Sequence, residues 1–597
     1  MTSNLLAPGD VSFLLYDWLH ADDLCRHDRY SEHSRETFDA VLDLAATIAR
    51  DHFAPHNRLA DAHEPTFDGR QVQMIPEPRA ALDVLARSGL IAGSMDHAVG
   101  GAQLPHVVST ACSAWFQAAN VATWAYAALT IANANLVQRF GTAEQVERFV
   151  LPMLDGRFHG TMCLSEPQAG SSLADIATRA EPQPDGTYRL HGHKMWISGG
   201  DHELGENIVH LVLARIAGAG SGVRGLSLFL VPKFLLDDDG AIDERNDVAT
   251  AGLNHKMGFR GTTNAILNFG EGLHRPDGRP GAVGYLVGRP NEGLAQMFHM
   301  MNEARIGVGG QAAALGCTAY LKSLDYARSR RQGRRPGRTD PTGQPDLIID
   351  HPDVRRMLLA QKVYAEGSLA LVLYCGRLVD ERLITTDEDQ AHELDLLLDL
   401  LTPVAKSWPS QWCVTANDLA IQVLGGYGYT RDYDLEQHYR DNRLNPIHEG
   451  TTGIQALDLL GRKVRLENGR ALDVLGRRIQ ATLSRAEDAD DEAREFAGSL
   501  GRVWNELRDV TRAIHAGDDP DRLANATVYL DAFGHTVVGW IWLELLLACG
   551  KADDALRNGK RHAARFFHRY ELPRVRTHLD LLARHDRTTV DLNPDWL

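Results

Sequence analysis

Residues 425–464 read GGYGYTRDYDLEQHYRDNRLNPIHEGTTGIQALDLLGRKV. A glycine-rich turn, Gly425-Gly426-Tyr427-Gly428, gives way to a charged and aromatic segment and then to an isolated acid, Glu449. Beyond it Ile454, Leu457 and Leu460 recur at helical spacing. Thr451 or Thr452 can N-cap that helix by accepting from its first free backbone N–H groups. The glycines let the backbone approach another group with no side chain between. On these residues alone two readings stand. The plain one is a capped helix with an acidic first turn, which suits the helix dipole. The sharper one is a general base set beside a close-approach turn.

Other stretches carry the same double reading. CLSEPQAGSS, residues 163–172, reads as a strand ending in a Glu-Pro turn. MWIS follows at 195–198, and Trp196 by itself would be ordinary core. Asn302-Glu303-Ala304-Arg305 reads as the opening of a helix, where an arginine is ordinarily solvated. ARSRRQGRRPGR, residues 327–338, is the sharpest basic cluster in an acidic chain, and Gly333, Pro336 and Gly337 mark it as a loop. Guanidinium forks there suit phosphate oxygens.

Together these motifs resemble those of the acyl-CoA dehydrogenases. IHEGTTGIQ is similar to that family's catalytic-base segment, and Gln422-x-x-Gly425-Gly426-x-Gly428 resembles its flavin-contact turn. The resemblance covers about residues 40–465 and implies an FAD-dependent oxidoreductase of fatty acid β-oxidation. It would convert an acyl-CoA to the trans-2-enoyl-CoA, with hydride passing from Cβ to flavin N5. The chemistry needs a base for the α-proton and a hydride acceptor, and no side chain accepts hydride. A carboxylate serves as base once burial raises its proton affinity. Glu449 holds that position, and its own N–H is placed to steady the thioester oxygen.

The resemblance assigns further roles. Leu164 and Ser165 contact the flavin ring through backbone and hydroxyl, and Gly170 and Ser171 lie on its flavin and substrate side. Trp196 stands over the ring and Ser198 near its N5 edge; Thr451 also contacts the cofactor. Arg305, His448 and Gly450 hold the CoA thioester together with Ser171. Arg330 and Gln332 reach the FAD pyrophosphate of a neighbouring subunit, facing Gln422 and Gly426, which implies a homo-oligomer, and Gly425 also lies at the cofactor. Some relatives carry the base immediately before the arginine; here that position is Ala304, with Glu303 one step back. Three departures stand out: Ser172 replaces an Asp, Gln437 replaces a Lys or Arg at a surface or phosphate contact, and His448 replaces a Tyr.

At 597 residues the chain exceeds one core. The expected fold is α+β and acyl-CoA dehydrogenase-like: an N-terminal helical domain at 1–157, a middle β-barrel or sandwich domain at 158–283, a helical bundle carrying the base at 284–468, and an additional helical domain at 469–597. Within the first, Ser34–His52 is amphipathic and Ala111–Leu136 alanine-rich. The last domain resembles the extension of 3-(methylthio)propanoyl-CoA dehydrogenases and some bacterial fatty acyl-CoA dehydrogenases. It is expected to cover a second dimer contact and leave a homodimer.

A formal charge of −17, with 44% hydrophobic and 24% charged residues, suits a soluble enzyme and argues against broad binding to nucleic acid or anionic membranes. Seven scattered cysteines without a C-x-x-C pair fit reduced thiols and offer no metal-site spacing. MTSNLLAPGD lacks a basic n-region, the last residues are no peroxisomal address, and Val537–Cys549 is too short to span a bilayer. A cytoplasmic protein is expected. The expected electron acceptor is an electron-transfer flavoprotein; an oxidase using oxygen is the alternative on the same fold. A DNA-associated flavoprotein would need a basic C-terminal domain. Residues 471–597 instead carry 21 acidic and 18 basic side chains.

Overall fold

Helices, then a sheet, then helices again is the order the chain adopts. A computed structural model describes residues 4–335, 337, 342–517 and 520–597, so Pro336 and Arg338 of the basic run lie outside the described residues. The chain divides into two units. One comprises Ala40–Leu104 and Ala119–Ala304; the other comprises Met1–Asp39, Pro105–Ala118 and Arg305–Leu597.

The amphipathic run near the start forms α1 (Arg35–Ile48) and continues as a π-helical turn, Ala49–Phe53. The alanine-rich run forms α2 (His106–Phe140), which is broken at Asn120. There the backbone leaves helical space (φ −163°, ψ 88°). The Asn120 amide donates to the Phe53 carbonyl at 3.3 Å and accepts from Thr123 N at 3.0 Å, so its side chain restarts the helix as a cap would.

The middle segment forms an eight-stranded sheet, beside a small two-stranded one (Phe234–Leu236 with Ile242–Arg245); the eight strands are β1 (Phe158–Cys163), β2 (Arg179–Pro182), β3 (Tyr188–Ser198), β4 (Asn207–Ile216), β5 (Leu226–Pro232), β6 (Val248–Leu253), β7 (Asn264–Phe269) and β8 (Ala282–Val287). Their order is β6-β7-β3-β8-β5-β4-β1, with β1 parallel to β4. Strand β2 pairs with both β3 and β4, closing β3, β8, β5, β4 and β2 into a ring. Strand β5 is buried along its whole length and β4 along most of it, which is why NIVHLVLARI and LSLFLVP read as continuous apolar runs rather than alternating ones. Leu190, Val212, Phe229, Val231 and Phe269 form the core.

The helical bundle that follows the sheet consists of α3 (Gly293–Ser329), α4 (Pro352–Ile384), α5 (Glu388–Leu424), α6 (Leu435–Asn442) and α7 (Thr452–Gly461). Helix α4 starts on Pro352, whose missing N–H costs nothing at that position. Asp387 caps α5 by accepting from Asp389 N and Gln390 N. Where α3 crosses α5, Gly309 is required: a Cβ there would lie 1.9 Å from the Ala405 carbonyl oxygen.

The added helices are α8 (Arg470–Glu487), α9 (Asp491–His515), α10 (Ala526–Ala548), α11 (Ala555–Phe566) and α12 (Arg574–Ala583). The acidic run before α9 is a helix start, with Asp490 accepting from Ala493 N at 2.9 Å. Helix α10 is apolar on every side and, alone among the described helices, is long and apolar enough to cross a membrane; 83% of its most apolar window is buried in the protein. Its Trp542 is fully buried, donates from Nε1 to the Val363 carbonyl at 3.2 Å, and rests on α4 at Gly367. A buried charge cluster fixes α11 as well: Lys560 Nζ lies 2.7 Å from Glu366 on α4 and 3.0 Å from Asp10 near the chain start. Lys362 also bonds Glu366. Removing one member would leave a buried charge uncompensated.

Candidate active site

The turn before α7 holds Glu449 in an unusual backbone conformation. Glu449 has φ +54° and Gly450 φ +86°, two successive left-handed residues. A non-glycine residue held there costs on the order of 1–3 kcal/mol and persists only where its surroundings fix it. Gly450 is needed for a second reason, since a Cβ would lie 2.5 Å from Gln455 Nε2. That amide donates to the Glu449 carbonyl at 2.9 Å. From α5, the buried Lys406 donates to the carbonyls of Asn445 (2.7 Å) and Gly450 (2.8 Å), one on each side of Glu449. Thr451 caps α7 by accepting from Ile454 N at 3.4 Å, as one of the two expected threonines.

A chain of buried amides supports the turn from below. Asn442 donates to the Ala312 carbonyl on α3 (3.2 Å) and to Asn417 Oδ1 on α5 (2.6 Å). Asn445 donates to Asn442 Oδ1 (3.0 Å), and its own Oδ1 lies 3.1 Å from His448 Nε2. That bond puts the proton of the His448 ring on Nε2. Burial first, and the Lys406 charge second, hold His448 down to about 3, so it is neutral.

Arg305 is 4% exposed on α3 and lies 3.7 Å from Asp458 of α7, measured Nη1 to Oδ2. The helix it sits on begins at Gly293 rather than at Asn302, so Arg305 is a mid-helix residue and not a first-turn surface arginine. Asp458 also binds Arg462, Oδ1 to Nε at 2.8 Å. Glu449 keeps partial solvent access, yet burial raises its proton affinity above the ordinary carboxylate value against the pull of Arg305 and Lys406. Lys406 moves the other way, down to about 7: burial lowers it, Glu449 raises it, and Arg305 lowers it further. A carboxylate with raised proton affinity beside two cations can take a proton from a weak carbon acid. Glu303, by contrast, is exposed and accepts from Asn135 at 2.8 Å.

In the sheet-bearing unit, Ser165 O accepts from Met195 N at 3.0 Å, which ties the end of β1 to β3. Lys194 Nζ donates to Leu164 O (3.0 Å), Leu213 O (2.9 Å) and Glu166 Oε1 (2.9 Å). Burial would raise Glu166, but Lys194, the Thr178 hydroxyl and the Ala177 N–H outweigh it and hold it at about 2. The Glu-Pro turn is therefore anchored by a buried ion pair. Trp196 is not core: it has φ +66° and 57% of it is exposed. Ser198 Oγ accepts from Asn264 at 3.4 Å. Gly170 and Ser171 are exposed, and a Cβ on Gly170 would meet nothing within 4 Å. Ser172, the departure noted above, donates to Asp175 at 2.6 Å.

The glycine-rich turn, Gly425–Tyr429, is a 3-10 turn following α5. Gln422, Gly425 and Gly426 are exposed, and a Cβ on either glycine would meet open space. Arg330 lies over Tyr427, 5.6 Å from its ring centre, and Gln332 is held by a backbone bond to Asp346 O. Lys322 bonds Asp434 and lies 3.0 Å from His438 Nε2, anchoring the chain after the turn. Gln437 is buried on α6 and 3.5 Å from Asp441, so it has no surface role; the helix turns it inward. Among the described residues no group of His, Cys, Asp and Glu could hold a metal ion.

A planar, pyrophosphate-bearing cofactor fits these residues. In the sheet-bearing unit Trp196 offers an exposed aromatic face and Gly170 an open stretch of backbone; in the other unit Gly425 and Gly426 likewise border open space. Within the sheet-bearing unit Leu164, Ser165, Ser171 and Ser198 carry backbone and hydroxyl groups suited to such a cofactor, and within the other unit Thr451 carries a hydroxyl and Arg330, Gln332 and Gln422 carry cationic and amide donors.

Comparison with known proteins defines the class. Residues 35–157 match the acyl-CoA dehydrogenase N-terminal domain, 161–270 the middle domain, 291–464 the C-terminal domain, and 475–593 an acetyl-CoA dehydrogenase C-terminal-like domain. The chain belongs to the acyl-CoA dehydrogenase family, oxidoreductases that use FAD. It is 35% identical over 540 residues to 3-methylmercaptopropionyl-CoA dehydrogenase of Ruegeria pomeroyi, covering 89% of this chain and 88% of that one. It is 33% identical to the broad-specificity linear acyl-CoA dehydrogenase FadE5 of Mycobacterium tuberculosis, over 98% of both chains. The crystal structure of an acyl-CoA dehydrogenase complexed with FAD from Bacillus anthracis shares the fold, with a TM-score of 0.74 at 18% identity, covering 98% of this chain and 93% of that one.

Proposed function

We propose that the protein dehydrogenates a fatty acyl-CoA or 3-(methylthio)propanoyl-CoA between Cα and Cβ, with Glu449 as the base. The observation that carries this reading is the clamped left-handed turn that sets a carboxylate of raised proton affinity beside Arg305 and Lys406. Glu449 takes the α-proton. Its N–H and that of Gly450 are the donors available to the thioester oxygen as charge develops there. Arg305 and the neutral His448 orient the thioester. FAD, which the residues named above would hold, would supply the hydride acceptor that no side chain can provide. Electrons then leave to an electron-transfer flavoprotein, for which the exposed Trp196 offers an aromatic contact. The exposed Arg330, Gln332, Gln422 and Gly426 suit a flavin site shared between two copies in a homodimer.

Glu449→Gln tests the reading. It should keep FAD and acyl-CoA binding while anaerobic flavin bleaching slows about 10²–10⁴-fold, the usual loss on removing a general base. Glu303→Gln should bleach normally. Bleaching that survives in Glu449→Gln and disappears in Glu303→Gln would assign the base to Glu303.

A further inference from the structure

Among the described residues, the lysine behind Glu449 bonds carbonyls and no carboxylate. Lys406 is fully buried, and its two hydrogen bonds end on uncharged carbonyls at residues 445 and 450. Burying an ammonium in this way is expensive, and a methionine would fill the same channel without that penalty. Two things are gained: two donors that straddle Glu449, and a positive charge that no carboxylate bonds. Asp458 stands on the opposite side of the balance. It lies nine residues after Glu449, in the second turn of α7, and reaches Arg305 at 3.7 Å and Arg462 at 2.8 Å.

We propose that Lys406 and Asp458 are positioning residues that set the proton affinity of Glu449 in opposite senses, Lys406 lowering it and Asp458 raising it by drawing on the charge of Arg305. The proposal rests on Glu449 being the base. The charged and titratable groups facing the turn are Arg305 from α3, Lys406 and Asp399 from α5, His448 in the turn itself, Asp458 from α7 and Arg462 just after it. His448 is neutral and Asp399 is bonded to Lys463 at 2.8 Å. The balance at Glu449 is between two cations, Arg305 and Lys406, and the carboxylates that offset Arg305, Asp458 more strongly than Asp399. Without Lys406, Glu449 loses a stabilising charge and binds its proton more tightly. Without the Asp458 charge, Arg305 acts on Glu449 undiminished and the proton is held less tightly.

The test uses FAD-loaded Lys406→Met and Asp458→Asn. One readout is the pH dependence of anaerobic flavin bleaching by butyryl-CoA. The other needs no turnover: the carboxyl infrared band of Glu449, isolated by subtracting the matching Glu449→Gln protein, followed against pH. Lys406→Met should move the acid limb and the infrared titration to higher pH, and Asp458→Asn should move both to lower pH. Asp458→Glu should restore the original profile. Shifts in the same direction, or a uniform rate loss with neither titration moved, would overturn the proposal. Should Lys406→Met fail to hold FAD, the Asp458→Asn and Asp458→Glu pair decides it. The infrared titration still reads Glu449 if another residue proves to be the base, so failure of that assignment is separable from failure of this one.

Discussion

Gly309→Ala separates the packing of the helices from their role in the site. Gly309 lies one turn beyond Arg305 on α3, and the atom an added Cβ would strike is the Ala405 carbonyl oxygen, 1.9 Å away. Ala405 immediately precedes Lys406 on α5. A backbone carbonyl inside a helix cannot rotate aside as a side chain can. Contacts of real Cβ atoms essentially begin at 3.0 Å, so the two helices must part locally by about 1 Å. Overpacking of this kind costs about 1–3 kcal/mol. Alanine recovers about 1 kcal/mol of helix propensity over glycine. The net loss in stability is therefore small, about 0–2 kcal/mol.

The effect on rate is not offset in the same way. Moving Lys406 or Arg305 by about 1 Å relative to Glu449 misplaces the base, and a displacement of that size can cost about 100-fold. Gly309→Ala should therefore show a melting temperature within a few degrees of the parent and anaerobic flavin bleaching slowed on the order of 100-fold. Gly498→Ala is the control. Its Cβ would meet only Arg502 Nη1 at 3.6 Å, so it should gain stability with no change in bleaching. A Gly309→Ala protein that melts higher and bleaches at the parental rate would refute the claim that the crossing of α3 and α5 sets the geometry of the base.

Two further outcomes follow from buried charges. Lys194→Met leaves Glu166 buried without its cation and should cost about 3–5 kcal/mol in urea unfolding; adding Glu166→Leu should recover much of that loss, and no recovery would mean the charge was not its cause. In the added domain, burial lowers the proton affinity of His535, but Asp531 and Glu571 outweigh it and raise it above the ordinary 6.5. A raised folded-state value gives stability that is fully present below about 6.5 and fades as pH rises through that value. The deficit in melting temperature of His535→Gln should thus be largest near pH 6 and smallest near pH 9, and an equal deficit at both would exclude titration of His535 as its source.

The parts of this molecule that could be read from the chain are those written in local spacing. Runs such as NIVHLVLARI declare strands, and the periodic run after Glu449 declares the helix that follows it, which makes that isolated acid a candidate for the base. What could not be read depends on register between distant helices. Lys406 sits in the mostly apolar run PVAKSWP, and nothing in that run distinguishes a lysine pointing at solvent from one clamping a turn. Asp458 reads as an ordinary i,i+4 partner for Arg462, which it is; its second contact, with Arg305, exists only because α3 and α7 meet. Trp196 misleads in the other direction, since a tryptophan in a β-rich run suggests core until its left-handed backbone is seen to turn the indole outward. Arg305 likewise reads as a solvated first-turn residue until the helix is found to begin at Gly293. The candidacy of Glu449 as base therefore rests on a few neighbouring residues, whereas its proton affinity belongs to helices that the sequence lists far apart. A substitution far from Glu449 along the chain can alter the proton affinity of the base while leaving every recognisable motif intact.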